Sequence, residues 1–272
     1  MVFPHGKPDN AFMIPGRLRA IALAAVLAAC FLLAPQAEAT PSRCLPLHVY
    51  AVRGTGETGP LGTQISAIVD ALRAQRPSGV SAQGNQYPAV LFDTGLFVIG
   101  KPWWYVLSVR DGVRRMHDDL AALRTDCPAS DVVVIGYSQG ADVVRRALAT
   151  EPAPAHNRYR VLLLGDPNLN SAETTIRMVN DLEDLIDTLP SISLGFNHFF
   201  FDQHPEGPFT LGPVPPFPPG WPAESLCWRK DPACGGGEGG LPFEWRVNGA
   251  HEQYRTRAAE FATAFLTWSD TN

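Results

Sequence analysis

Val132-Val133-Val134-Ile135, running into Gly136-Tyr137-Ser138-Gln139-Gly140, is the stretch on which the reading of this chain turns. It spells a strand, a tight turn carrying a serine, then a helix. That is the nucleophile elbow of serine hydrolases. The turn forces the serine into a strained backbone conformation that admits only small neighbours, and Gly136 and Gly140 supply them. The helix opening near Gly140-Ala141-Asp142 points its N-terminus at the serine. Its free amides and dipole favour negative charge there. Acyl transfer needs such a place, because its tetrahedral intermediate sets an anion beside the serine. The bland reading is a Gly-Ser turn in some other α/β domain. The apolar strand directly ahead of G-x-S-x-G favours the hydrolase.

Outward from the elbow, strands alternate with helices. Residues 47–52 read as a first strand and 61–73 as a helix, with apolar residues at Leu61, Ile65, Ile68, Val69 and Leu72. Residues 87–92 read as a strand. Residues 104–123 read as a helix with Arg110, Arg114, Arg115 and Asp118 on a polar face. Residues 131–135 form the central strand, 141–149 the elbow helix, and 160–164 the next strand, which ends in Gly165-Asp166-Pro167. Residues 247–250 lead into a final helix over 252–268. This order means α/β with a mainly parallel sheet.

Residues 168–222 break the pattern. They open with a helical stretch at 174–189, then run through Phe199-Phe200-Phe201 to a proline-rich segment at 208–222. Proline at that density blocks ladder pairing. The stretch is nevertheless too apolar for a solvated linker. It is expected to pack over the domain as a cap or a long ordered loop.

A serine nucleophile needs a base, and the base needs an orienting acid. In α/β-hydrolase chains they follow in the order Ser, Asp, His. Of seven histidines, His251 stands after Gly249-Ala250 and before the last helix, where a loop-borne base belongs. His48 and His117 fall inside elements and read as structural; His156, His198 and His204 fall in loops. Two aspartates compete for the acid. Asp166 ends a strand beside Pro167, whereas Asp231 lies between Cys227 and Cys234 and ahead of His251. Order and placement favour Asp231. The oxyanion hole takes one amide from Gln139 and a second from the glycine-rich loop Arg53-Gly54-Thr55-Gly56-Glu57-Thr58-Gly59, where Thr55 offers an amide and a hydroxyl. No Gly-Lys-Ser/Thr follows that loop, so it does not read as a phosphate cradle. His198, Asp202 and His204 have only the loose spacing of chance for a metal site, and no metal is assigned. Trp103-Trp104 reads equally as acyl groove or as packing.

The leader and the cysteines set the compartment. Arg17 and Arg19 precede the apolar run 21–33, and Ala37-Glu38-Ala39 fits a small-x-small cleavage rule, so residues 1–39 read as a secretory signal. Leu27-Ala28-Ala29-Cys30 has the look of a lipoprotein box. Phe31-Leu32-Leu33 carries the apolar run past Cys30, which favours simple secretion. Residues 40–272 suit one domain and keep four of the five cysteines: Cys44, Cys127, Cys227 and Cys234. An even count in an exported chain implies two disulfides, with Cys227 and Cys234 as the local pair. Neither pair has zinc-ligand spacing. Removing 1–39 takes three of 22 Lys/Arg and two of 27 Asp/Glu, so the net charge moves from −5 to −6. An acidic chain without a basic run argues against nucleic acid.

Taken together, these motifs resemble the cutinase family of secreted serine esterases. The resemblance is carried by Cys44, Tyr50-Ala51-Val52-Arg53-Gly54-Thr55-Gly56-Glu57, Cys127-Pro128, Gly136-Tyr137-Ser138-Gln139-Gly140-Ala141, Asp231-Pro232-Ala233-Cys234 and His251-Glu252-Gln253-Tyr254. It implies an α/β-hydrolase-type three-layer sandwich with a central mainly parallel sheet, to which 168–222 adds an extra loop or cap. It also implies Ser138 as nucleophile, Asp231 as acid and His251 as base, with Thr55 and Gln139 at the oxyanion hole. The implied pairings are Cys44 with Cys127 and Cys227 with Cys234. The chain departs from the family in 168–222 and in the Gly235–Gly240 loop. The expected activity is hydrolysis of a lipid or polyester-type ester through an acyl-enzyme, with no cofactor and with a lipid or cell-envelope surface as a possible partner. An acyltransferase with the same triad and a non-catalytic surface protein are the two alternatives. Substrate choice and oligomeric state are not written in the sequence.

Overall fold

Along the strand nearest the N-terminus, alternate residues serve two different cores. Leu47, Val49 and Ala51 pack with one apolar cluster, and Tyr50 and Val52 with another. A period of two with both faces apolar is the mark of a sheet covered by helices on both sides. The computed structural model describes residues 44–90, 103–154, 158–169, 176–179, 211, 220–228, 231, 233–234 and 249–271. Its elements are β1 (Leu47–Val52), α1 (Gly62–Gln75), β2 (Val80–Gly84), α2 (Trp103–Asp126), β3 (Asp131–Tyr137), α3 (Gln139–Leu148), β4 (Tyr159–Leu164), β5 (Ile176–Val179), β6 (Ala223–Trp228), two short 3-10 turns (Ala250–Glu252 and Tyr254–Arg257) and α4 (Ala258–Thr271).

The strands form one six-stranded sheet in the order β2-β1-β3-β4-β6-β5, and every pairing is parallel. Helices α1 and α4 cover one face with Ile65, Ile68, Leu72, Phe261 and Leu266. Helices α2 and α3 cover the other with Val106, Met116, Leu120, Val143 and Val144. The result is the expected three-layer α/β sandwich. In a parallel sheet of this kind, all strands deliver their following loops to one edge, beyond their carboxyl ends. The elbow after β3, the glycine-rich loop after β1, Gly165 after β4 and the Asp231 loop after β6 therefore converge.

Three local expectations were displaced. The strand expected at 87–92 is absent over its described part, and β2 lies earlier, at Val80–Gly84. β2 is an edge strand with three half-buried residues, so it lacks a strong apolar signature. Tyr87 is buried for another reason: its hydroxyl donates to the Arg53 carbonyl at 2.5 Å and its amide donates to Asn85 Oδ1 at 3.1 Å. The helical stretch expected at 174–189 contains β5 at Ile176–Val179, paired in parallel with β6. Part of 168–222 thus joins the sheet rather than capping it. Leu211 and Trp221 pack on the core face covered by α2 and α3, with the Leu211 carbonyl accepting from Arg146 at 2.8 Å, and 170–175, 180–210 and 212–219 lie outside the described residues. β6, not expected as a strand, starts directly after Pro222. Proline has no N–H to give, but the Pro222 carbonyl accepts from the Val161 amide at 2.9 Å. The last helix begins later than expected, at Ala258, after the two 3-10 turns.

Both disulfides form as implied, Cys44–Cys127 and Cys227–Cys234. The first closes a separation of 83 residues, for which loop entropy suggests about 4–5 kcal/mol of stabilisation. It ties the approach to β1 to the turn before β3.

Candidate active site

Ser138 stands between β3 and α3 with φ 53° and ψ −120°. A residue with a Cβ enters that region only under constraint. The constraint is visible on both sides. The Ser138 amide donates to the Leu164 carbonyl at 2.9 Å, across to the end of β4. Its carbonyl accepts from the Ala141 and Asp142 amides at 2.9 and 3.3 Å, starting α3. The serine is held up at the end of the sheet as the elbow reading required.

The hydroxyl meets His251. Ser138 Oγ lies 2.9 Å from His251 Nε2. On the other side of the ring, His251 Nδ1 lies 2.8 and 2.9 Å from the two carboxylate oxygens of Asp231. A carboxylate only accepts, so Nδ1 carries the proton. Nε2 is then the acceptor and the Ser138 hydroxyl the donor. His251 lies on the first 3-10 turn, and the backbone of that turn is anchored by Tyr137, whose hydroxyl donates to the His251 carbonyl at 2.7 Å. The Tyr137 ring also lies against the imidazole, with centroids 4.9 Å apart.

Asp231 is completely buried, in the loop closed by Cys227–Cys234. Its amide donates to the Trp228 carbonyl at 2.8 Å, and its Oδ1 accepts from the Ala233 amide at 2.8 Å. Oδ2 accepts from the Tyr254 hydroxyl. The space for this contact comes from Gly165, at φ +58°, where a Cβ would lie 2.9 Å from Asp231 Oδ2 and 3.0 Å from His251 Cε1. Any side chain at 165 would enter the Ser138–His251–Asp231 line.

Thr55 lies in the loop after β1. Parallel pairing sets Val52 beside Gly136, so the loop leaves β1 next to Tyr137 and Ser138. The Glu57 side chain shapes it. Its Oε2 accepts from the Gly54 amide at 2.8 Å, and its Oε1 accepts from the Thr63 and Gln64 amides at 2.7 and 3.2 Å. A carboxylate on the free amides of the α1 N-terminus satisfies donors that the helix leaves over, and the dipole favours its charge. Arg53 braces the loop from below through the Glu57, Asn85 and Tyr87 carbonyls. Gln139 is the first residue of α3, so its amide is one of the donors with no acceptor inside the helix.

The competing residues go elsewhere. Asp166 pairs with Arg145, whose Nε lies 3.0 Å from Asp166 Oδ2, and both are buried. Burial pushes the Asp166 carboxyl up, against the pull of Arg145. His48 meets Ser81 across β1 and β2 at 2.8 Å, and His117 meets Glu151 at 2.5 Å. His156, His198, Asp202 and His204 lie outside the described residues, as does the Phe199–Phe201 run. Trp104 stands half-exposed at the start of α2, an end of the helix bonded to α3 through Tyr105 and Asp142 at 3.3 Å. The sequence reading passed over Glu57, Tyr137 and Tyr254 as site-builders. Their signal was adjacency alone: Glu57 closes the glycine-rich motif, Tyr137 precedes the serine and Tyr254 follows the histidine by three residues.

A strained serine at a strand-to-helix elbow of a parallel sheet, bonded to an imidazole that is bonded to a carboxylate, defines an α/β-hydrolase. The Cutinase family profile matches residues 43–268, and the chain belongs to that family. It is a carboxylic ester hydrolase. Among its relatives, a cutinase of Coprinopsis cinerea is 32% identical over 161 residues, which span 57% of this chain and 73% of the relative. The phospholipase Culp4 of Mycobacterium tuberculosis is 34% identical over 147 residues, 53% of this chain and 59% of the relative. Acetylxylan esterase 2 of Talaromyces purpureogenus is 23% identical over 235 residues, 82% of this chain and 88% of the relative. A solved cutinase-like protein from Cryptococcus shares the fold at a TM-score of 0.54, with 22% identity over 82% of this chain and 96% of its own.

Proposed function

We propose that the chain is an exported serine esterase that cleaves lipid or polyester-type esters through an acyl-enzyme on Ser138. The observation that carries the reading is the continuous hydrogen-bonded line from Ser138 Oγ through His251 to Asp231. His251 Nε2 takes the Ser138 proton as Oγ attacks the ester carbonyl carbon. The carbonyl oxygen becomes an oxyanion between the Thr55 and Gln139 amides. Collapse breaks the C–O bond to the alcohol, and His251 returns the proton to the departing oxygen. Water, deprotonated by His251, then attacks the acyl carbon and releases Ser138 with the acid. Asp231 holds the Nδ1–H tautomer and stabilises the imidazolium in between.

Export is supported by the signal-like segment at 1–39 and by two disulfides, which persist in oxidising compartments. Lipid-type esters are supported by relatives named as cutinases and a phospholipase. Purified protein should take up a fluorophosphonate on Ser138, mapped by peptide mass spectrometry. Ser138→Ala should lose labelling and about 10^4-fold or more in kcat on p-nitrophenyl esters, with its circular dichroism unchanged. Near-normal turnover by the folded variant would overturn the triad. Products formed with a sugar or lipid alcohol present separate hydrolysis from acyl transfer: free acid alone upholds the esterase.

A further inference from the structure

The carboxylate of Asp231 has a donor on each side that the serine–histidine–aspartate line does not require. The Ala233 amide serves Oδ1, and the Tyr254 hydroxyl serves Oδ2, the oxygen that His251 Nδ1 also reaches at 2.9 Å. The Tyr254 hydroxyl in turn accepts from the Trp228 amide at 3.3 Å. One phenol thus joins the end of β6, the acid loop and the turn that follows the histidine. The chain reaches this geometry by spacing. A 3-10 conformation has three residues per turn, so side chains three apart point the same way. His251 and Tyr254 are three apart on successive 3-10 turns, and both therefore address the same carboxylate. Their rings meet edge to face with centroids 6.4 Å apart.

Tyr254 is fully buried. Burial and the charge of Asp231 push its pKa far above the ordinary tyrosine value, so the phenol keeps its proton. Among the described residues, the histidine also faces the Asp231 carboxylate and the Tyr137 phenol; burial and then the carboxylates of Asp231, Glu57 and Glu252 push the Tyr137 pKa up.

We propose that Tyr254 is a positioning residue for ester cleavage, whose hydroxyl fixes Asp231 Oδ2 and draws off part of the carboxylate's charge, so that it sets both the orientation and the basicity of His251. The proposal rests on the triad reading above. A hydrogen bond to a charged group is among the stronger ones, and in a buried site it acts without competition from water. With the hydroxyl gone, more of the negative charge on Asp231 faces the imidazole. The imidazolium is then better stabilised and His251 holds its proton to higher pH. With a more acidic phenol the bond strengthens and the effect reverses.

The test uses two substitutions that keep the ring. In Tyr254→Phe, kcat should fall about ten-fold or more while KM changes little, and the acidic limb of kcat/KM should move to higher pH by about half a unit or more. In protein carrying 3,5-difluorotyrosine at 254, the acidic limb should move to lower pH. A shift of the limb in opposite directions is not expected of a residue that only fills space in the core. In an Asp231→Asn background, Tyr254→Phe should cost less than two-fold, because the charge it tunes is gone. An unmoved acidic limb and a kcat within two-fold of the parent, with Ser138→Ala inactive, would overturn this proposal and leave the triad standing. An active Ser138→Ala would instead remove the triad on which it rests. If Tyr254→Phe fails to fold, the fluorotyrosine protein decides alone, since it preserves shape and hydroxyl.

Discussion

At the scale of residues, two buried aspartates show how environment divides labour between identical side chains. Asp166 faces a guanidinium that is buried with it, and Asp231 faces an imidazole that reaches the serine. Asp231→Asn should remove about 10^4-fold in kcat while leaving the fold, because an amide can hold the wrong histidine tautomer and cannot stabilise its cation. Asp166→Asn removes the negative charge that the buried Arg145 guanidinium faces. It should cost about 3–5 kcal/mol in stability and lower the Tm, with kcat per folded molecule close to the parent. Thermal melts beside active-site titration separate the two. The reverse ranking at matched circular dichroism would make Asp166 the acid.

At the scale of elements, the acid loop after β6 is the part of the site most dependent on a local crosslink. Cys227 and Cys234 are only seven positions apart, so loop entropy accounts for about 2–3 kcal/mol. The bridge nevertheless fixes the turn that aims Asp231. Replacing both cysteines with serine should lower kcat at temperatures well below the Tm, and parallel losses of kcat and helical signal would contradict that. A second junction joins α2 to the end of α3 through Glu151, which meets His117 and Arg124 at 2.5 and 2.7 Å. Burial raises the Glu151 carboxyl, but the hydrogen bonds from His117 and Arg124 outweigh it and set the folded value below the ordinary 4.5. A lowered folded value gives stability that is present above the unfolded value and lost as pH falls through the folded one. The parent should therefore lose stability on acidification below about pH 4.5 more steeply than Glu151→Gln does, measured by denaturant titration across pH 3–6.

At the scale of the whole molecule, six parallel strands require crossovers, and the connection from β5 to β6 spans 180–222. That segment joins the edge strand β5 to β6, which lies beside β4 and whose following loop carries Asp231. We expect it to wall the acyl site. Shortening 199–219 to a Gly/Ser turn leaves enough chain for the crossover and should change the ratio of long-chain to short-chain ester kcat/KM several-fold, since each lost apolar contact group is worth about 1–3 kcal/mol. An unchanged chain-length profile in a folded variant would place the segment away from the acyl site.

The sequence by itself determined the elbow, the alternation of strands and helices, the order serine, aspartate, histidine and the count of cysteines. These are local or ordinal properties: a four-residue apolar run, a helical spacing, a motif. Period-two burial and glycine-flanked turns leave their mark on neighbouring residues, so they can be read there. What only the tertiary structure decided is which groups meet across long separations. β2 was misplaced because an edge strand with half-buried residues carries little hydrophobic signal, while Tyr87 and its neighbours looked like a strand and were loop residues packed under Arg53. β5 was hidden in a helical pattern because a four-residue strand takes its identity from its partner β6. Order and placement together favoured Asp231 over Asp166, but their partners became definite only when β4 and β6 were placed side by side. The role of Tyr254 was invisible for the same reason. A hydroxyl in a sequence declares no acceptor, and its partner, 23 residues away, is reached only because the sheet brings the loop after β6 against the turn after the histidine.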